Sequence, residues 1–247
     1  MKRSYEKEMM DLPGQPRELL EEDLRHLRTM NRYLGGYRSV IRGLDRLIEE
    51  QKMRRFSLLD VGTGSGDIPI RINRWAHAKG VSAEIVALET EPVTVRIAAT
   101  LTNPRFIPLL QRGKERDFRR CGILVLRGDG LAPPFRPGSF DFVLASQLLH
   151  HFSEEKIVAL LRNWSQLARR AIIISDLIRD PVAYHGIRLI TKICTRNVMT
   201  RTDAPLSVRR AFTMGEWSEL FRRAEVGRFQ VFSVFPYRVL GLISLNG

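Results

Sequence analysis

Residues 58–67 read Leu-Leu-Asp-Val-Gly-Thr-Gly-Ser-Gly-Asp, and no other stretch limits the fold as far. A short apolar run (Phe56, Leu58, Leu59, Val61) stops at three glycines spaced by two, Gly62, Gly64 and Gly66. Glycine turns sharply at little steric cost and lets the backbone come close to a ligand, which a Cβ would prevent. A strand that ends in such a loop and passes into a helix is the opening unit of an open α/β sheet. The dinucleotide fingerprint G-x-G-x-x-G would place its third glycine at position 67. That position is Asp67, and Asp60 sits in the strand end. Two carboxylates beside the loop repel a pyrophosphate and suit a cationic, amino-acid-bearing ligand.

The rest of the chain agrees with an α/β fold. Polar residues 1–16, with Pro13-Gly14 and Pro16, read as an arm. Leu19, Leu20, Leu24 and Leu27 then recur at helical spacing, and after Gly35-Gly36 so do Val40, Leu44, Leu47 and Ile48. A helix is predicted from about Ile68 to Lys79, closed by Gly80, followed by a strand over Glu84–Leu88. Pro92 suits the first turn of the next helix. Further strands are predicted over Gly122–Leu126, Phe140–Ala145 and Ala171–Ser175. Ser153 is placed as an N-cap with Glu154 and Glu155 behind it, and Thr213 to Glu216 is a capping box. Phe229–Phe235 and Tyr237–Ile243 form a last strand pair split by Pro236. Strands that are apolar throughout and alternate with helices imply a mostly parallel sheet of seven strands, covered on both faces. The expected organisation is an N-terminal arm and helical lid over 1–52 and a catalytic domain over 53–247, with 177–210 inserted as a substrate cap.

Composition narrows the partners. No run approaches the length of a membrane span, and the N-terminus leads into no apolar signal segment, so a cytoplasmic protein is expected. Cys121 and Cys194 form neither a disulfide framework nor a metal motif. Against 27 acidic residues stand 40 Lys and Arg, a net charge of +13. That balance favours anionic partners: an acidic substrate, an anionic membrane surface in peripheral contact, or nucleic acid. The densest basic stretch (Arg112, Lys114, Arg116, Arg119, Arg120) is broken by Glu115 and Asp117.

Four separated motifs between about Phe56 and Asp176 give the chain its resemblance to the class I S-adenosylmethionine-dependent methyltransferases. The first is Asp60-Val-Gly62-Thr63-Gly64-Ser65-Gly66 with Asp67, whose counterpart in that family holds the methionine part of S-adenosylmethionine. The second is Glu89 with Thr90, where an acid accepts both ribose hydroxyls. The third is Gly128-Asp129-Gly130, where an acid resembling Asp129 binds the adenine amino group. The fourth runs from Phe140 through Ala145, Ser146 and Gln147 to His150, His151 and Phe152, beside the transferring methyl. Asp141 in this segment is expected to be structural. The Leu-Leu-His-His-Phe segment is similar to that of ubiquinone and menaquinone C-methyltransferases and small-molecule O-methyltransferases. The flanks Leu24–Gly36 and Pro205–Thr213 resemble bacterial enzymes of secondary metabolism that act on polyketide phenols and quinones.

The implied reaction is methyl transfer to an oxygen or carbon of a small lipophilic aromatic acceptor. A phenol or enolic carbon benefits from a base with pKa near 7. His150 or His151 is the first candidate, expected to open the helix after the fourth strand, where N–H dipoles would lower a histidine pKa. His185 is a second candidate. The apolar positions Val182, Ile187, Leu189, Ile190 and Ile193, with basic Arg188, Lys192, Arg196, Arg209 and Arg210, are expected to form the cap. Amino-group methylation of nucleic-acid bases uses an Asn/Asp-Pro-Pro-Tyr-like segment where this chain has Ala-Ser-Gln-Leu (145–148), and base C5 methylation needs a cysteine there. A nucleic-acid methyltransferase and a catalytically silent cofactor-binding protein stand as the alternatives. Asp176 and Asp180 could serve a metal-dependent enzyme, but Ser146 and Gln147 stand where further carboxylates would be needed, so no metal is expected.

Overall fold

A computed structural model describes residues 1–102 and 122–245. Cys121 and the basic stretch 112–120 lie outside the described residues. The elements are α1 (Arg17–Tyr33), α2 (Gly36–Glu50), β1 (Arg55–Val61), α3 (Asp67–Ala78), β2 (Ser82–Glu89), α4 (Pro92–Thr102), β3 (Ile123–Arg127) and β4 (Phe140–Ser146). They continue with α5 (Glu154–Leu167), β5 (Ala168–Leu177), α6 (Pro181–Cys194), α7 (Val198–Arg210), α8 (Met214–Ala224), β6 (Arg228–Val234) and β7 (Arg238–Ser244). The strands form one seven-stranded sheet in the order β3-β2-β1-β4-β5-β7-β6. β1 to β5 run parallel, β7 is antiparallel to β5, and β6 is antiparallel to β7.

Both faces of the sheet are packed. On one, Val143, Ile172 and Ile174 meet Trp164 of α5 and Trp217 and Phe221 of α8. On the other, Leu58, Ile85 and Ile173 meet Leu44 and Leu47 of α2 and Ile72 of α3. This two-sided burial is why the middles of the parallel strands are apolar, with polar residues confined to their starts (Ser82, Asp141, Arg169) and their C-terminal ends (Asp60, Glu89, Asp176). A third cluster, Leu20, Leu24 and Met199 with Val93 and Ile97 beside them, ties α1 to α7 and α4. Caps fix the helix starts: Ser153 Oγ accepts the Lys156 N–H, and Thr213 and Glu216 exchange both bonds of the capping box. Asp141 accepts from the Ser57 N–H at 2.9 Å and pairs with Arg169 and Arg170, so it ties the start of β4 to β1 and β5.

The segment 177–210 departs from expectation. It forms α6 and α7, but of the five apolar positions counted on for the cap only Ile187 is buried. Ile187 and Thr191 share the inner face of α6, four residues apart, while Val182, Leu189 and Ile193 lie on the opposite stripe, in solvent. His185 is also exposed, its ring edge-on to Tyr184. Nor do His150 and His151 open a helix. They occupy a single 3-10 turn, Leu149–His151, ahead of the Ser153 cap.

Candidate functional site

Sheet order reverses between β1 and β4: β1 has β2 on one side and β4 on the other, so the connections leave in opposite directions. The crevice expected at such a reversal lies at the C-terminal ends of these strands, where open α/β sheets take ligands. Its floor is the glycine loop. Gly62, Gly64 and Gly66 have φ of +67°, +56° and +75°. A Cβ at Gly62 would meet Leu148 Cδ1 at 2.8 Å, and one at Gly66 would meet Thr102 Cγ2 at 2.9 Å. A Cβ at Gly64 would meet only Leu24 Cδ2, at an ordinary contact distance of 4.0 Å. The outer glycines therefore serve close packing, and the middle one leaves room above the loop.

The polar lining is acidic. Asp60 is fully buried and takes the Thr63 hydroxyl at 2.6 Å. Burial, together with the nearby Asp67 and Glu89 charges, pushes its pKa up to about 7. Glu89 at the end of β2 is also pushed up by burial, while N–H groups of Gly64 (2.9 Å), Thr90 (2.8 Å) and Glu91 (3.3 Å) oppose the shift. Asp67 takes the Ser65 hydroxyl at 2.9 Å and the Asn31 amide at 3.0 Å. Thr90 donates to the Gly128 carbonyl at 3.0 Å, and Gly130 accepts from Trp164 at 3.0 Å. Asp129 is exposed and caps its own turn through the Leu131 N–H. At the end of β4, Ala145 is buried, Gln147 has a positive φ of 53°, and the Ser146 hydroxyl is enclosed without a hydrogen-bond partner, as is Ser175 beside it on β5. The fold thus gathers Asp60, Gly62, Thr63, Gly64, Gly66, Asp67 and Glu89 with Ala145, Ser146 and Gln147 around one crevice, and places Thr90, Asp129 and Gly130 along the edge at β2 and β3.

Asn31, at the C-terminal end of α1, was not singled out as a site residue. Its buried amide donates to Asp67 and accepts from Gln147 at 2.5 Å, so it links the glycine loop to the end of β4. Gly36 makes room for it, because a Cβ there would lie well inside contact distance of Asn31 Oδ1. In the sequence Asn31 stands within the flank Leu24–Gly36, whose resemblance named no partner for it.

His150 and His151 sit beside this crevice under the N-terminal arm. His150 Nδ1 lies 2.6 Å from Asp176 Oδ1 at the end of β5, and its Nε2 lies 3.6 Å from Glu8 Oε1. Burial opposes the imidazolium, but the Asp176 and Glu8 carboxylates outweigh it and push the pKa up to about 9. The N–H dipoles expected to lower it serve Asp176 instead, which accepts from the Leu149 and His150 N–H groups at 3.1 and 3.3 Å. His151 Nδ1 pairs with Asp11 at 2.9 Å. Arg210 of α7 completes the network, bonding the carbonyls of Glu6 (2.6 Å) and His151 (2.8 Å) and standing 3.7 Å from Glu8. Arg3 reaches the Phe152 carbonyl at 2.8 Å and lies over the Phe212 ring. The arm is therefore fastened along its length. Asp180, the other carboxylate considered for metal, caps α6 through the Val182 and Ala183 N–H groups.

A family model described as a methyltransferase domain matches residues 58–171. No curated protein matches the chain in sequence. Among solved structures, human N-acetylserotonin methyltransferase in complex with S-adenosylmethionine aligns at 16% identity and TM-score 0.58, over 98% of this chain and 62% of its own. Magnesium protoporphyrin IX methyltransferase of Synechocystis PCC 6803, with bound S-adenosylhomocysteine, aligns at 16% identity and TM-score 0.54, over 94% and 90%. An O-methyltransferase family 2 protein of Planctomyces limnophilus DSM 3776, in complex with apigenin, aligns at 18% identity and TM-score 0.51, over 76% and 49%. The chain thus spans about half to two thirds of the length of two of these structures. The match covers β1, the glycine loop, β2, β3, β4 and the start of β5, the same strands that build the acidic crevice. The space over Gly64, the carboxylates of Asp60, Asp67 and Glu89, and the enclosed Ser146 hydroxyl all fit a cationic ligand rich in polar groups. Residues 58–171 thus match a methyltransferase domain, a domain that implies S-adenosylmethionine as cofactor, and the fold is the one these methyltransferase structures share.

Proposed function

We propose that this methyltransferase acts on an oxygen or carbon of a small lipophilic aromatic acceptor of the phenol, polyketide or quinone type. The observation that carries the cofactor half of this reading is the convergence of Asp60, Asp67 and Glu89 on one glycine-lined crevice. Bound there, S-adenosylmethionine supplies an electrophilic methyl carried on a sulfonium. Glu89 would offer its carboxylate to the ribose hydroxyls, and Asp67, held by Asn31 and Ser65, would hold the cationic methionine end. Asp129 and Gly130 would border the adenine, and the unpartnered Ser146 hydroxyl would be available to the ligand. Alignment of acceptor and methyl then lowers the barrier by proximity, with several kcal/mol available from that source, on the order of 7 or more at best.

His150 is the better placed of the two histidines for the acceptor's proton. Asp176 fixes its Nδ1, which leaves Nε2 as the working nitrogen, and Glu8 of the arm covers that nitrogen. Withdrawal of Glu8 both exposes Nε2 and removes a charge that holds the proton on the ring. His151, tied to Asp11, is the second choice. The presence of apigenin, an aromatic polyphenol, in the Planctomyces limnophilus structure supports an aromatic acceptor. Incubation with S-adenosylmethionine and panels of phenols and quinones, followed by mass spectrometry, tests the reading. A product heavier by one methyl group supports it. Methylation of RNA alone would transfer the enzyme to the nucleic-acid class.

A further inference from the structure

We infer that α6 is a docking element for an anionic lipid surface, held in the interface plane with its outer face in the membrane. Its outer stripe is apolar and uncovered: Val182 is 65% exposed, Leu189 59%, Ile190 43% and Ile193 73%, with Val198 of the following helix at 53%. Single exposed apolar side chains are ordinary, but several on one face of a helix are a mark of an interaction surface. Val182, Leu189 and Ile193 stand seven and four residues apart, so they share one stripe of the helix, with Ile190 at its border. Ile187 and Thr191, on the opposite stripe, are buried where α6 packs on α7. The core face of α6 is thus distinct from its exposed apolar stripe.

Charge selects the occupant. The segment 181–210 contains six basic residues and a single acid, Asp203, which is buried and occupied by the N–H groups of Met9 and Met10. Arg188, Lys192, Arg196 and Arg201 are exposed around the apolar stripe. Apolar side chains bordered by cations are the pattern of a helix lying in the headgroup layer of anionic lipid. A second copy of this chain is a poor alternative, because each copy carries a net charge of +13 and would bring these cations against their equals. Among the described residues no helix is long and apolar enough to cross a membrane, so the contact is peripheral. The same cap reaches the candidate site: Arg210, at the end of α7, bonds the carbonyl of His151. Docking through α6 would thus bring the histidine pair close to a phase in which lipophilic compounds concentrate. The inference does not rest on the acceptor assignment.

Flotation with vesicles of phosphatidylcholine alone, and of phosphatidylcholine with an equal part of phosphatidylglycerol, tests it on the full chain. The protein should float with the anionic vesicles and stay behind with the neutral ones. Leu189→Glu with Ile193→Glu should weaken binding about tenfold or more, and Arg188→Ala or Lys192→Ala about fivefold each. All four side chains are exposed, so melting temperature and S-adenosylmethionine affinity should stay at wild-type values and report an intact fold. The inference is overturned by a wild-type protein that does not float, or by glutamate variants that float as it does. It is equally overturned if light scattering shows a dimer that Ile193→Glu dissociates while vesicles bind nothing.

Discussion

The two sides of the candidate site are built by opposite rules. The cofactor side is made of strand ends, and its largest piece, Asp60 to Asp67, is one unbroken stretch of sequence. The acceptor side is made of pieces far apart in the chain. Glu8 meets His150, Arg3 meets Phe152, and Arg210 joins Glu6 to His151. On the first side the carboxylates are like-charged, and burial, with the nearby Asp67 and Glu89, pushes Asp60 toward neutrality. On the second they alternate, Asp176, His150, Glu8, Arg210 and Asp11 pairing in sequence. A crevice with unbalanced negative charge awaits a cation. A network that is already paired must open before a substrate can use it.

The largest effect that would sharpen this contrast is expected at His150. His150→Ala should lower kcat by roughly 10²–10⁴-fold and leave S-adenosylmethionine affinity unchanged. An effect of equal size on cofactor affinity would erase the distinction between the two sides. Asn31→Ala comes next, because Asn31 belongs to the helical half but its amide holds Asp67 and Gln147. Loss of a buried amide bonded to a carboxylate should weaken S-adenosylmethionine binding by about tenfold, measured by calorimetry.

Glu8→Gln should act through pH. The Glu8 carboxylate favours the imidazolium, so its removal lowers the His150 pKa from about 9 and moves the acidic limb of kcat/KM to lower pH. Stability follows the same group. The folded pKa lies above the unfolded value of about 6.5, so its contribution is complete below pH ~6.5 and is lost as pH rises toward 9. Melting curves at the two ends of that range should show the drop in wild type and little of it in His150→Ala. The smallest effect is expected at Asp60. Its ionisation near pH 7 adds negative charge to the crevice, so cofactor affinity should rise a few-fold through neutrality, and Asp60→Asn should flatten that rise.

This contrast also explains what could be read from the sequence. Strand ends, the Ser153 cap, the Thr213–Glu216 box and Pro92 at a helix start depend on residues within a few positions of each other. The glycine loop is equally local, since positive φ at three alternate positions is written in the residue type. Asn31 was invisible because its partners stand 36 and 116 residues away. Glu8 and Asp11 looked like parts of a polar arm, and only the fold shows them against the histidines. The buried face of α6 was hidden for a different reason. Apolar residues at helical spacing announce an amphipathic helix but not which face meets protein, and α6 carries apolar side chains on both.

Calorimetric titration of S-adenosylmethionine into the wild-type chain and into Glu89→Ala tests the central claim most directly. The acidic crevice predicts saturable binding at one site and a loss of affinity of about 100-fold in the variant, since a carboxylate serving two hydroxyls is removed. His150→Ala, run beside them, should bind as wild type does. Absence of binding to the wild-type chain, or equal affinity in Glu89→Ala, would contradict the account.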